Sequence, residues 1–181
     1  MQNHKPLTIV VIALIETLIL SACGATIPAT DASITDLVEY TNTEGAFSIQ
    51  YPEEDKIYED QHPSVDGVVA DAPDSVALQH VSTNGFVLSI AFVPLTEGIS
   101  PTDFAASDDT CAVSDLPVES FTLGGENALL FKDTPCGPFG SSIIYATHAQ
   151  MGYRILIESG GAFQAVKPEV SNILDTFKFL A

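Results

Sequence analysis

The sequence predicts an α+β fold in a single domain, with an antiparallel β-sheet flanked by short helices. Three observations support this prediction. The chain has 181 residues, which is about one domain's length. Short apolar stretches of strand length follow one another and are separated by turns that contain glycine. Only two segments carry the signals of a helix start, and both are short.

The first 23 residues predict export. Lys5 precedes an apolar run from Leu7 to Leu20, and small residues follow up to Cys23. This is the layout of a secretory signal peptide. The run has about 14 residues, fewer than the ~20 that a membrane-spanning helix needs. The run ends in Leu-Ser-Ala-Cys, which resembles the lipobox of bacterial lipoproteins. Residues 1–22 are therefore predicted to be a lipoprotein signal peptide, and Cys23 is predicted to be the lipidated residue.

Lipidation of Cys23 would determine where the protein is located. In bacterial lipoproteins this cysteine is diacylated and becomes the mature N-terminus, and two acyl chains give a stable anchor where one does not. The protein would then be attached to the cell membrane and face the periplasm or the cell exterior. Glu16 lies inside the apolar run, where an ionised carboxylate is costly. Two alternatives therefore stay open: an uncleaved anchor helix with an ordinary Cys23, and a signal peptide cut elsewhere.

The charge of the chain restricts its partners. Lys and Arg number 6 and Asp and Glu number 24, giving a net charge of −18 at pH 7. Nucleic acid is excluded as a partner because phosphate binding needs clustered cations. Anionic lipid headgroups would repel the domain weakly, so the lipid anchor is expected to provide the membrane attachment. Charged partners would be basic proteins or cations.

The domain is predicted to begin after a tether. Residues 23–37 are mainly small, polar and β-branched without clear periodicity, which is typical of a flexible tether, and residues 38–181 form the predicted domain. Gly45–Pro52 alternates apolar and polar side chains, which predicts a half-buried strand ended by proline. Glu53 to Pro73 is rich in acids and breakers, which predicts an irregular segment with room for one short strand.

The middle of the chain predicts a hairpin and a short helix. The stretches 75–81 and 86–95 flank Asn84-Gly85, a strong hairpin signal because both residues tolerate positive φ. The nearly continuous apolar character of 86–93 predicts a central strand covered on both faces. Ser100-Pro101 supplies an N-cap and a proline at the first helical position, so a helix is predicted over about 101–107.

The C-terminal half predicts two more hairpins, a helix and a last strand. Glycine-containing turns separate the paired segments. A helix is predicted to start at Pro168, with Val170, Ile173 and Leu174 on one face. The predicted strands are 118–123 with 128–132, 142–149 with 153–158, and 177–180.

Cys111 and Cys136 are the only cysteines after Cys23. An exported domain with two remaining thiols most simply pairs them, so we predict a disulfide. The bridge would close a loop of about 25 residues and add about 3–3.5 kcal/mol in the chain-entropy model. Free thiols, a metal site and a reactive thiol are the alternatives, although metal sites usually place cysteines close together with histidines.

The segment 53–74 contains eight acidic residues, among them Asp66, Asp71 and Asp74. Calcium takes oxygen ligands, and extracellular modules bind it weakly. However, the spacing of these three residues does not match the Asp-x-Asp-x-Asp-Gly loop of calcium sites. The sequence therefore favours a solvated acidic face without cofactor, and weak calcium binding at these residues is the alternative.

No local pattern in the sequence is typical of an enzyme. His62, His80 and His148 lack the paired helical spacing of zinc sites, and no Gly-x-Ser-x-Gly motif occurs. Gly124-Gly125 lies between predicted strands and not before a helix, so it predicts no phosphate-binding loop. We therefore predict a non-catalytic binding or accessory module. A small hydrolase with a noncontiguous site and a structural envelope lipoprotein are the alternatives.

Three short motifs resemble those of PsbP-like domains and related bacterial lipoproteins. Gly45–Pro52 resembles their opening strand, Leu123–Gly125 their central turn, and Ile173–Phe179 their last helix-to-strand exit. The resemblance covers about residues 38–180. It implies an α/β/α sandwich around an antiparallel sheet, and a domain that binds or organises partners. The partner implied is a protein or a small ligand.

Overall fold

A computed structural model describes residues 36–64, 68–80, 85–136, 141–159 and 163–181 of the chain. Residues 34–181 form one compact unit. The predicted signal peptide, Cys23, nearly all of the predicted tether and Asp66 lie outside the described residues, as does Asn84 of the predicted hairpin turn. None of the described helices is both long and apolar enough to cross a bilayer.

The described residues form ten strands and two helices. The strands are β1 (Leu37–Asn42), β2 (Phe47–Pro52), β3 (Lys56–Pro63), β4 (Val69–His80), β5 (Phe86–Pro94), β6 (Val118–Leu123), β7 (Glu126–Thr134), β8 (Ser141–His148), β9 (Met151–Ser159) and β10 (Lys178–Phe179). The helices are α1 (Pro101–Ser107) and α2 (Phe163–Leu174).

The strands form two antiparallel sheets. Seven strands make the large sheet in the order β3-β4-β5-β9-β8-β7-β6, and β1-β2-β10 make a small one. The described fold is thus mainly β, and the prediction of an α+β domain with a sheet flanked by helices is wrong. Part of the reason is that the segment Glu53 to Pro73, predicted to be irregular with room for one short strand, contains β3 and the first part of β4. The small sheet also occupies a place that the prediction gave to helices.

The small sheet and α2 pack on one face of the large sheet, here called the inner face. Phe47 and Ile49 of β2 enter a common apolar core with Ile155 of β9 and with Val170 and Ile173 of α2. The Phe47 ring stacks on Phe177 at 5.3 Å between centroids. The Tyr153 hydroxyl donates to the Gly45 carbonyl oxygen at 2.8 Å, which ties the small sheet to β9.

Helix α1 packs on the opposite, outer face. Phe104 and Ala105 of α1 contact Ile143 and Tyr145 of β8 in a second apolar cluster. Gly152 of β9 permits this approach, because a Cβ there would lie 2.9 Å from the Phe104 ring. The predicted helix is confirmed, and Ser100 caps it in a capping box with Asp103.

Several other predictions are confirmed in detail. Gly124 and Gly125 form the turn between β6 and β7, both with positive φ. Strand β5 lies inside the large sheet and is buried over most of its length. Helix α2, in contrast, begins at Phe163 and not at Pro168, so the proline lies inside the helix. A proline removes one backbone hydrogen bond there without ending the helix.

Strands β3 and β4 form a long hairpin whose far end leaves the plane of the large sheet. The register shifts between Glu59 and Gln61, and Asp60 between them has a φ of 53°. Beyond this bulge, His62 contacts Ser89 on β5, although β4 lies between β3 and β5 in the sheet. The end of the hairpin therefore folds over the outer face, as strongly bent bulged strands do.

Candidate functional site on the outer face of the large sheet

A cleft of about 380 Å³ opens on the outer face between the β3–β4 hairpin and α1. Ala91 of β5 and Arg154 of β9 are paired in the sheet and line it from below. Pro73 and Asp74 contribute one wall, and Phe104 contributes to the other. The further lining residues are Phe92, Val93, Leu95, Ser107, Asp108, Asp109 and Thr110. The cleft therefore combines apolar side chains with several charged ones.

An ion pair on one side of the cleft is held by three elements. The Arg154 Nη1 group donates to both carboxylate oxygens of Asp108, at 3.1 and 2.9 Å. The Tyr145 hydroxyl donates to Asp108 Oδ2 at 3.0 Å, and the Thr110 backbone N–H donates to Oδ1 at 2.9 Å. Asp108 directly follows α1, while Tyr145 and Arg154 lie on β8 and β9, so this network joins α1 to the sheet.

The surroundings shift the pKa of two members of this network. Burial raises the pKa of the Asp108 carboxyl, but the hydrogen bonds from Thr110 and the charge and hydrogen bonds of Arg154 outweigh it and hold that pKa below its usual value. Burial, followed by the negative charge of Asp108, raises the pKa of the Tyr145 phenol. At neutral pH the network thus consists of a carboxylate, a guanidinium and a neutral phenol.

A second polar cluster, formed by His62, Ser89 and Glu158, lies on the same face. His62 Nδ1 is 2.7 Å from Ser89 Oγ, and His62 Nε2 is 3.0 Å from Glu158 Oε2. The Glu158 carboxylate can only accept, so Nε2–H donates the hydrogen bond to it, and Nδ1 of that tautomer has a lone pair that accepts a hydrogen bond from the serine hydroxyl. Glu158 and Ser89 are 4% and 8% exposed, whereas the side chain of His62 is 26% exposed.

The cluster and the cleft are neighbours in the strand register. Ser89 of β5 pairs with Leu156 of β9, and Ala91 pairs with Arg154 one step further along the same face. Ser89 and Arg154 are therefore diagonal neighbours on two paired strands, and such residues lie about 7–8 Å apart. The His62 contact also holds the hairpin end that carries Pro73 against the sheet. The two groups together make this face the best candidate for a functional site.

The three histidines at positions 62, 80 and 148 do not come together. His80 Nδ1 contacts Asp55 Oδ1 at 2.8 Å, and His148 Nδ1 contacts Glu126 Oε1 at 3.2 Å. The His80 ring stacks on Phe86 at 4.9 Å between centroids. Each of these histidines therefore has its own carboxylate partner, at a separate place in the fold.

The acidic candidates for calcium binding are spread along the hairpin. Asp71 pairs with Gln61 in β3–β4, and the Asp74 backbone N–H donates to Asp60 Oδ1 at 3.1 Å. Asp66 lies outside the described residues. Over the described ranges, no group of three or more His, Cys, Asp or Glu residues is arranged to hold a metal ion.

Cys111 and Cys136 lie at disulfide distance, with 5.7 Å between their Cα atoms, and are bonded. The pair supports the disulfide predicted for an exported domain. Cys111 is buried beside α1 in the outer-face cluster, and Cys136 packs against the same cluster. The bridge therefore fixes the chain between α1 and β6 to the end of β7.

Sequence reasoning missed the residues of this face. Ser89 and Glu158 are 27 and 96 residues away from His62, so no local spacing could connect them. Arg154 could have been identified from the sequence, because it is the only arginine of a strongly acidic chain. Its place in an apolar strand indicates a charge with a specific partner.

Comparisons with known proteins identify the fold. No family model matches the sequence, and no curated protein matches it. The solution structure of PsbP (CyanoP) from the cyanobacterium Synechocystis sp. PCC 6803 is similar at a TM-score of 0.51 and 14% identity, covering 80% of this chain and 92% of that one. A crystal structure from Bacteroides thetaiotaomicron has a TM-score of 0.41 and 13% identity, covering 79% of this chain and 48% of that one. The similarity to the cyanobacterial structure shows a PsbP-like fold, as the three motifs predict.

Proposed function

We propose that the protein is a membrane-anchored, extracytoplasmic binding or accessory module, whose main role is binding and not catalysis. The observation that carries the proposal is the cleft of about 380 Å³ on the outer face, which lies within the size range of small-ligand sites. Its ion pair is fixed by Tyr145 and Thr110, so one side of the cleft is preorganised.

The anchor is proposed from the N-terminal sequence. The apolar run and the lipobox-like exit support a diacylated Cys23, with the domain outside the cytosol on the tether 23–37. The Cys111–Cys136 pair agrees with an oxidising compartment. The mass of the mature protein before and after reduction tests both points. We expect the mass of a chain that begins at Cys23 and carries two acyl chains, and this mass should increase by two hydrogens on reduction. A full-length precursor without lipid would contradict the proposal.

The ligand is proposed to be neutral or positively charged, either a small molecule or a side chain of a partner protein. Three carboxylates, those of Asp74, Asp108 and Asp109, lie at the cleft against the one guanidinium of Arg154. The net charge of −18 adds to the repulsion of anions. Apolar side chains such as Leu95 and Phe104 provide the contact area. Nucleic acid is not part of the proposal.

No cofactor is proposed. Calcium at Asp66, Asp71 and Asp74 is the alternative, and a calorimetric titration of the protein with millimolar calcium tests it. A saturable heat that disappears in Asp71→Asn/Asp74→Asn would establish the alternative, whereas no heat and an unchanged melting temperature would exclude it.

Site-specific photo-crosslinking in intact cells tests the binding role. A photoreactive residue in place of Val93, which is 39% exposed in the cleft, is expected to capture a defined protein or ligand. The matched control replaces Val118, which is 52% exposed on the edge strand β6, four strands away from β5. The same adducts from both positions, or none from Val93, would contradict a binding site here and favour a structural envelope lipoprotein.

A further inference from the structure

We propose that Ser89 is a nucleophile activated by His62 and Glu158, so that the outer face carries an acyl-accepting site in addition to the binding role. The substrate class is a small, uncharged carboxylic ester. The two contacts His62–Ser89 and His62–Glu158 carry this inference, because a serine, a base and an orienting carboxylate are the parts of a nucleophilic hydrolase site.

The geometry meets the first requirement of general base catalysis. A base must lie within about 2.6–3.2 Å of the atom that carries the proton it takes, and His62 Nδ1 is 2.7 Å from Ser89 Oγ. The Glu158 contact at 3.0 Å fixes the ring orientation and selects the tautomer that has its lone pair on Nδ1. Glu158 is nearly fully buried, so its carboxylate is held and can stabilise the imidazolium that forms.

Access meets a further requirement. The His62 side chain is 26% exposed, so the base can exchange its proton with the surroundings. Ser89 does not line the cleft, but the cleft begins one register step away, at Ala91 and Arg154, and we place the acyl group of the substrate there.

The reaction proceeds in two balanced steps. The Ser89 hydroxyl proton passes to His62 Nδ1 while Oγ forms a bond to the ester carbonyl carbon. The bond from that carbon to the alcohol oxygen then breaks, and the leaving alkoxide takes the proton from Nδ1, which leaves an acyl-serine. A water molecule then gives one proton to Nδ1 while its oxygen forms a bond to the acyl carbon. The bond from that carbon to Ser89 Oγ breaks, Oγ takes the proton from Nδ1, and the carboxylic acid leaves.

Labelling of the full chain with a fluorophosphonate probe tests the proposal, because this probe bonds to activated serines. We expect one covalent adduct per chain, which peptide mass mapping assigns to Ser89. Ser89→Ala should abolish it, and His62→Gln should slow it by about 100-fold or more, the usual contribution of a general base. The matched control is His148→Gln, which removes the comparable His148–Glu126 pair and should label at the wild-type rate.

A second measurement separates catalysis from packing. Glu158→Gln keeps the shape of the side chain, so a variant with a wild-type circular dichroism spectrum and slow labelling supports an orienting role. Its labelling rate should also follow a pH profile shifted from that of the wild type, because the glutamine no longer stabilises the imidazolium. The wild type should hydrolyse p-nitrophenyl acetate. In His62→Gln and Glu158→Gln the hydrolysis rate should fall to that of Ser89→Ala.

Two outcomes would overturn the proposal. One is a folded wild-type protein that acquires no label at Ser89, and the other is labelling of Ser89 that His62→Gln leaves unchanged. In either case the cluster only fastens the hairpin to the sheet. A negative result would leave the crosslinking test of the cleft unaffected, so the two proposals fail separately.

Discussion

The two faces of the large sheet are built in different ways. The inner face packs against the small sheet and α2 through aromatic and aliphatic side chains, with Phe47 and Ile155 fully buried. The outer face has a smaller apolar cluster under α1 and, beside it, the polar groups of Asp108, Arg154 and His62. Buried apolar contacts stabilise without direction, whereas buried polar groups are stable only with their partners.

This difference separates stability from function. Substitutions on the inner face should change the free energy of unfolding and leave the chemistry of the site intact. Substitutions of the polar groups on the outer face should cost less stability than removal of a core side chain and should change binding or reactivity. Four substitutions test this division between the two faces.

Phe47→Ala should destabilise the protein by about 3–5 kcal/mol. The Phe47 side chain is fully buried, and its ring contacts those of Tyr153 and Phe177, so its removal leaves a cavity at the centre of the inner face. Denaturant unfolding followed by circular dichroism measures the loss. Val118→Ala, at an exposed edge position, is the matched control and should change stability little. Similar losses in both variants would contradict the assigned core.

Cys111→Ser/Cys136→Ser should destabilise the protein by about 3 kcal/mol. The bridge spans 25 residues and joins the chain after α1 to the end of β7, so its loss frees the unfolded chain and loosens the outer-face cluster. The melting temperature with and without reductant measures the effect, and reduction of the double variant serves as control. Equal melting temperatures for the oxidised and reduced wild type would exclude a stabilising disulfide.

Asp108→Asn should destabilise the protein by about 1–3 kcal/mol at neutral pH, because Arg154 and Tyr145 lose a charged acceptor. The folded-state pKa of Asp108 is lowered, so its contribution is present above its unfolded pKa and is lost as the pH falls through the folded value. Denaturant unfolding at neutral and acidic pH should therefore show a difference from the wild type that shrinks in acid. The exposed neighbour Asp109→Asn is the control, and an equal loss in both variants would contradict the network.

Tyr40→Phe should have the smallest effect, about 0.5–1.5 kcal/mol at neutral pH, since it removes the 2.6 Å hydrogen bond from Tyr40 to Glu59. Burial, followed by this hydrogen bond, raises the pKa of Tyr40 from 10.0 to about 12. The stabilisation is therefore full below pH 10 and is lost as the pH rises to about 12. Thermal unfolding across this range should show a weaker alkaline loss in Tyr40→Phe, with Tyr58→Phe as control. Parallel curves for Tyr40→Phe and the wild type would contradict the assignment.

Where the sequence pattern matched the burial of the chain, its predictions were confirmed. Apolar residues on both faces of β5 predicted a central strand, and Gly124-Gly125 predicted a turn because both positions need positive φ. Where most side chains of a strand are exposed, the predictions from the sequence were wrong. In β3 and the first part of β4 most side chains are exposed and Pro63 and Pro73 interrupt the pattern, so these strands lacked the usual signal. Prolines are tolerated there because β3 is an edge strand and the hairpin is bulged.

The sequence by itself determined the features that depend on neighbouring residues: the capped helix α1, the glycine turn and the strand β2 that ends at Pro52. Only the tertiary structure decided that a small sheet covers the inner face and that a bent hairpin brings His62 to Ser89 and Glu158. The physical reason is distance along the chain. Turn and cap preferences are set by a few adjacent residues, whereas contacts across 96 residues form only when the sheets have assembled.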